Sequence, residues 1–243
     1  MKKHIPNAIT CCNLICGCLA TSFAFGGQPT MALLFIILGA VFDFFDGMTA
    51  RLLGVSSPIG KELDSLADDV TFGVAPSTMV YYELSVMDYP SLLIPLSSVI
   101  PYLAFVMAAF SALRLAKFNL DERQSMGFIG LPTPANALIW VGVVLYCRLP
   151  YDNTDLFSST HNMLAIILAV VSIATDILMV CELPMFSLKF HSLALPENVE
   201  RYVFLTGCIL LLALMSWKAT AWIILWYILL SLVWPLVRKD DNA

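Results

Sequence analysis

Charge is what this chain most lacks. Only 13% of its 243 residues are Asp, Glu, Lys or Arg, while 59% are hydrophobic, and the mean hydropathy is +0.83. Soluble domains carry about 25% charged residues, so a soluble globular protein is excluded and a polytopic membrane protein is indicated. The net charge of −5 says little about partners, and no nucleic-acid partner is expected. Histidine is scarce: His4, His161 and His191 stand far apart, with no metal-ligand pattern around them. There are seven cysteines but no disulfide framework. Cys11, Cys12, Cys16 and Cys18 alternate with Leu, Ile and Gly, as small apolar residues of a membrane helix do. The sequence has no internal repeat, no low-complexity tract and no linker long enough to divide it. Residues 1–243 are therefore expected to form a single membrane domain.

Long apolar runs are present instead. Eight can be drawn, at about 8–25, 31–53, 67–86, 92–116, 132–149, 162–181, 202–217 and 219–236. The expected fold is an all-α polytopic bundle of about eight transmembrane helices. Turn and polar residues mark the breaks: Gly26-Gly27-Gln28-Pro29, Ser56-Ser57-Pro58, Met87-Asp88-Tyr89-Pro90 and Asp121-Glu122-Arg123-Gln124. The opening Met1-Lys2-Lys3-His4 and the apolar run after it have the outline of a secretory signal, but Asn7, Thr10 and Asn13 interrupt that run. The segment is therefore expected to remain in the mature protein. Eight spans place both termini on one side. With that side cytoplasmic, all 13 basic residues except Arg148 and Lys218 fall inside, the bias expected of an inner face. Trp217, Trp222, Trp226 and Trp234 near the ends of the last two runs are expected to anchor at the membrane interface.

Against this apolar background stands the stretch from Asp43 to Asp68, DFFDGMTARLLGVSSPIGKELDSLAD. At about 100° per residue, Asp43, Asp46, Gly47 and Ala50 share an arc of roughly 100° on one helix. Gly60, Asp64 and Asp68 form a second stripe at i, i+4 and i+8. Two such stripes facing each other bring four carboxylates together, which a low-dielectric setting tolerates only if cations neutralise them. Hard oxygen ligands suit Mg²⁺, Mn²⁺ or Ca²⁺. Polar Thr10 and Asn13, one turn apart on the first helix, are expected to touch a ligand or pair with another helix. Asp69 points about 100° away from Asp68 and is left outside the metal shell.

The pattern D-x-x-D-G-x-x-A-R followed by G-x-x-x-D-x-x-x-D resembles the signature of the CDP-alcohol phosphotransferases, membrane enzymes of phospholipid synthesis. Its fixed positions here are Asp43, Asp46, Gly47, Ala50, Arg51, Gly60, Asp64 and Asp68. The resemblance implies two Mg²⁺ or Mn²⁺ ions per site, held by Asp43, Asp46, Asp64 and Asp68. Asp68 would also be the general base toward an acceptor hydroxyl. It implies that the CDP-lipid contacts Thr10, Asn13, Gly47, Ala50, Arg51 and Gly60, with Gly47 and Ala50 permitting close approach. Arg51 either meets phosphate or pairs with an acidic neighbour. It further implies a homodimer with a complete site in each protomer.

Three further stretches resemble the phosphatidylserine synthases within that family: IPNAITCCNLICG at the start, RLAKFN with FIGLPTPA at 128–135, and LMVCELPMFSLKF at 178–190. The pattern differs at Cys181 and Glu182, where Ser and Asn are more usual. The resemblance implies CDP-diacylglycerol and L-serine as substrates. Serine brings a carboxylate that needs a fixed cation, and Arg114, Lys117 and Lys189, with Asn119 beside them, are the candidates. The same residues also read as ordinary positive-inside markers of helix ends. Another acceptor alcohol or an archaeol-type lipid keeps the same chemistry, and a cation transporter is the remote alternative. Transporter sites lie near the midplane and often in repeated halves, whereas this acidic stretch is single and near one face. A covalent phosphatidyl-histidine route would need H-x-K-x-x-x-x-D, which does not occur. The role of Asp176, deep in the sixth run, stays open.

Overall fold

A computed structural model describes residues 4–121, 128–147, 158–186, 198–215 and 219–240. The protein is a bundle of apolar helices. Helices α1 (His4–Phe25) and α2 (Pro29–Leu53) form an antiparallel pair, joined by a turn at Gly27 with φ +65°. Helix α3 (Pro58–Asp68) runs without a break through a π-helical turn (Asp69–Val74) into α4 (Ala75–Val86). Two 3₁₀ segments (Ile94–Leu96 and Ile100–Phe105) lead into α5 (Val106–Leu120). A two-residue strand β1 (Phe128–Ile129) precedes α6 (Thr133–Cys147) and α7 (Ser158–Val180). A second, β2 (Pro184–Met185), pairs antiparallel with β1, and α8 (Val199–Met215) and α9 (Thr220–Asp240) complete the described chain.

The expected helical membrane bundle is what the chain forms. Three segments, His4–Phe25, Pro29–Leu53 and Ile100–Leu120, are long and apolar enough to cross a membrane, and shorter apolar helices surround them. Large apolar side chains face outward, among them Leu34, Ile37, Val41, Leu210 and Leu214, as a hydrocarbon solvent permits. The interior holds Trp140, Phe72, Met79, Met107 and Met179.

Two boundaries differ from the apolar runs. The third rod begins at Pro58 rather than near 67, because Ser57 caps it: its hydroxyl accepts the Gly60 N–H at 3.1 Å, with Pro58 in the first turn. The added piece, α3, is amphipathic. The fourth run becomes α-helical only at Val106, since Pro95 and Pro101 remove the amide donors a continuous helix would need. Trp226 is not a simple interfacial anchor: its indole lies over Gly207 of α8, where a Cβ would be 2.2 Å from Nε1. Trp222 is half exposed, and Trp217 lies outside the described residues.

Helix α2 ends on Gly54 at φ +60°, whose N–H bonds to Arg51 O while that of Val55 bonds to Ala50 O. This stop, followed three residues later by the Ser57 cap, folds α3 back against α1 and sets its acidic stripe opposite that of α2.

Candidate active site

Three carboxylates converge. Asp43 of α2 and Asp64 and Asp68 of α3 each present an oxygen, all within 4.8 Å of one another. Asp46 stands beside this group rather than inside it. It is buried, and Thr10 of α1 donates its hydroxyl to Asp46 Oδ2 at 2.5 Å. Asp69 faces Ser111 of α5 and stays outside the cluster, as its helical angle predicts. Asp64, on the amphipathic α3 outside the spans, has its carboxyl pushed up to about 6. Burial is the main cause and the Asp46 charge adds to it, while a hydrogen bond with Asp43 acts the other way. Asp64 Oδ1 is buried and has no hydrogen-bond partner. Clustered carboxylates with an unsatisfied oxygen fit a hard divalent cation.

Asn13 is fully buried and holds Asp68, donating through Nδ2 to Asp68 Oδ1 at 3.0 Å. Its own Oδ1 accepts from Thr71 in the π-helical turn at 2.8 Å. Thr71 was not among the expected site residues. A buried hydroxyl in an apolar run was its available signal, but the π turn that aims it at α1 has no periodic signature. Close packing makes this relay possible. A Cβ on Gly17 would lie 2.5 Å from Thr71 Oγ1, and one on Gly39 would lie 2.6 Å from Thr71 Cγ2 and 2.8 Å from Asn13 Oδ1.

A cavity of about 600 Å³ opens beside the aspartates. Asp46 and Asp64 form one wall, and Thr10, Gly47, Ala50 and Gly60 also line it. Asn7, Ser57 and Lys61 also line it, none of them anticipated. Asn13 does not line it; its amide reaches Asp68 instead. Arg51 is exposed beside Gly47, outside the cavity walls.

A second cavity, of about 390 Å³, is walled by Arg114 and Lys117 of α5, Asp121 at its end, Ile129, and Met179 to Glu182. Arg114 is buried, feels the charge of Asp68, and has its guanidinium 5.1 Å from the Phe118 ring centre. Lys117 reaches Val180 O at 3.4 Å. Asn119 is not with them. Its side chain donates to Ser65 Oγ at 2.7 Å and its carbonyl accepts from Lys61 at 2.7 Å, so it fastens α5 to α3. Lys189 lies outside the described residues. The acidic cluster thus has one cavity beside Asp46 and Asp64, while Arg114, close enough to feel Asp68, lines the other.

Comparison with known proteins finds relatives that share one enzyme name. The chain is 37% identical over 198 residues to the CDP-diacylglycerol–serine O-phosphatidyltransferase of Bacillus subtilis (strain 168), covering 82% of this chain and 97% of that protein. It is 37% identical over 173 residues to the protein of that name in Methanocaldococcus jannaschii, covering 70% of this chain and 71% of the relative. The match to that of Mycobacterium leprae is 31% over 201 residues, which is 80% of this chain and 61% of the mycobacterial protein. Residues 3–174, which contain all four aspartates and both α5 cations, match the model of one family throughout. This chain belongs to the CDP-alcohol phosphatidyltransferase family.

Proposed function

We propose that this protein transfers a phosphatidyl group from CDP-diacylglycerol to L-serine, releasing CMP and forming phosphatidylserine. The observation that carries the reading is the acidic cluster with one cavity beside Asp46 and Asp64 and, near Asp68, the buried Arg114, which opens onto a second. The serine-specific names of the relatives support the same acceptor.

The CDP group sits in the larger cavity, where Gly47 and Gly60 leave room beside Asp46. One acyl chain lies in an apolar groove of about 380 Å³ lined by Ile37, Val41, Phe44 and Phe72, next to Asp43 in α2. Serine enters the second cavity with its carboxylate toward Arg114. Asp68, held by Asn13, accepts the proton of the serine hydroxyl. The hydroxyl oxygen then bonds to the lipid-side phosphorus as the bond between that phosphorus and the oxygen shared with CMP breaks. CMP departs with the electron pair, and the Asp68 proton is lost to solvent.

Asp43, Asp46, Asp64 and Asp68 would hold two Mg²⁺ or Mn²⁺ ions. When bound, these neutralise the carboxylates and stabilise the attacking and leaving oxygens. The basic-residue bias supports a cytoplasmic site with both termini on that side.

The test is CMP release by purified protein in detergent with CDP-diacylglycerol and Mg²⁺ or Mn²⁺, offering serine, glycerol 3-phosphate and inositol in turn. Release with serine alone, abolished in Asp68→Asn, is expected. Release with a different alcohol would discard serine as acceptor while keeping the aspartate mechanism.

A further inference from the structure

The two cavities draw on different parts of the chain. Every described residue lining the one beside Asp46 and Asp64 falls between Pro6 and Asp64, inside the segment that matches the family. The second takes Arg114, Lys117 and Ile129 from that segment, but Met179, Val180, Cys181 and Glu182 lie beyond its end at 174. Part of the wall that would meet the acceptor is therefore built outside the shared segment.

That wall is thin. Residues 179–182 lead from the end of α7 into β2, whose two residues pair with β1, Phe128 opposite Met185 and Ile129 opposite Pro184. Gly130 N–H donates to Leu183 O at 2.8 Å and Leu131 N–H to Leu178 O at 2.9 Å. Gly130 adopts φ +77°, and a Cβ there would collide with Met179 O, so the two segments meet as closely as glycine allows. A strand pair of two residues cannot hold its own position, since even longer isolated hairpins are marginal. Its far end is held from α9. Tyr227 donates its hydroxyl to Phe186 O at 2.8 Å. The Phe186 ring lies 4.8 Å from that of Tyr227 and 5.9 Å from that of Phe204 in α8, centre to centre. Met185, Phe204 and Tyr227 are all buried. Tyr227 is also within electrostatic reach of Arg114, which lines the cavity.

We propose that Tyr227 is a positioning residue for the acceptor. By holding the Phe186 carbonyl, its hydroxyl fixes the β1–β2 pair, and with it Ile129 and the 179–182 wall against which the acceptor alcohol is seated. This inference rests on the serine reading above and gives Tyr227 no part in the chemical step. The clustered aspartates sit on α2 and α3, and Asn13 of α1 holds Asp68, so the donor side is built on other elements.

The test uses the intact protein in detergent with CDP-diacylglycerol and saturating divalent cation. Tyr227→Phe removes the hydroxyl and keeps the ring. Its KM for serine rises about three- to tenfold, the worth of one neutral hydrogen bond. Its kcat and its KM for CDP-diacylglycerol stay within about twofold of wild type. Gly207→Ala, whose new Cβ would collide with the Trp226 indole in the same α8–α9 contact, serves as the comparison for loosening alone. It lowers Tm and leaves the KM for serine within about twofold. An unchanged KM for serine in Tyr227→Phe, an equal rise in both KM values, or the same serine effect in Gly207→Ala would overturn the assignment. A wild type that releases CMP with another alcohol and not with serine would overturn the serine reading alone. The three proteins would then be compared through the KM for that alcohol, with the same outcomes deciding the role of Tyr227.

Discussion

Asn13 and Asp68 are 55 positions apart in sequence, yet the Asn13 amide donates to the Asp68 carboxylate at 3.0 Å from a fully buried position. Because Thr71 donates to the other end of the same amide, the relay fixes which way the amide points and so which Asp68 oxygen it occupies. Asn13→Ala is expected to lower kcat by about ten- to a hundredfold, the cost of misplacing a proton acceptor, with a smaller change in the KM for serine. The Thr71 hydroxyl keeps the Asn13 main-chain carbonyl as an acceptor at 3.1 Å, so stability should fall only by the two lost side-chain hydrogen bonds of the amide, about 1–3 kcal/mol. Steady-state kinetics and thermal unfolding of one preparation check both halves. An unaltered kcat would remove Asn13 from the catalytic machinery.

Metal binding and pH are linked through Asp64. Its folded value of about 6 lies above that of an unfolded aspartate, about 3.9. The metal-free fold therefore holds a proton that the unfolded chain has released. The stability this contributes is complete below about pH 4 and is lost as pH rises through about 6. Chelator-treated protein should thus show a falling Tm from pH 5 to 7. Added Mg²⁺ or Mn²⁺ should raise Tm more at pH 7 than at pH 5, because at pH 5 it must displace the proton. A metal-induced shift independent of pH over this range would contradict the linkage.

Much of the site was legible because helical periodicity is local. Asp43 and Asp46 stand three apart, Asp64 and Asp68 four apart, each pair on one helix, and Gly54 and Ser57 mark the fold-back between them. Where the chain departs from that periodicity, the pattern stops informing. The π turn at Asp69–Val74 inserts an extra residue per turn with no Pro or repeat to announce it, and only the structure turns Thr71 toward Asn13. Asn119 and Arg114 are neighbours on one α-helix, yet one fastens α3 and the other lines a cavity. That difference depends on how α5 is rotated against its partners, which its own sequence does not encode.

On the proposed reading, Arg114 separates acceptor binding from donor binding. It is buried, lines the second cavity and does not line the first. Arg114→Ala is expected to raise the apparent KM for serine by tenfold or more, about the value of one charge-assisted hydrogen bond, with little change for CDP-diacylglycerol. Arg114→Lys should recover only part, since an ammonium lacks the planar fork that grips a carboxylate. Equal effects on both substrates would assign Arg114 to lipid phosphate or to structure.

Asp176 tests whether every buried acid in this bundle is catalytic. It is fully buried in α7, it faces Asn136 of α6, and neither of its oxygens has a hydrogen-bond partner. It is not among the three clustered carboxylates and lines neither polar cavity. An isolated carboxylate at such a position costs about 3 kcal/mol on the mild insertion scale, whereas an amide of the same shape carries no charge to desolvate. Asp176→Asn is therefore expected to leave kcat and both KM values within about twofold and to hold or raise Tm. Activity assays beside thermal unfolding decide it. Loss of turnover with an unchanged Tm would show that Asp176 serves the reaction, and the proton path would then have to extend beyond Asp68 into the interface of α6 and α7.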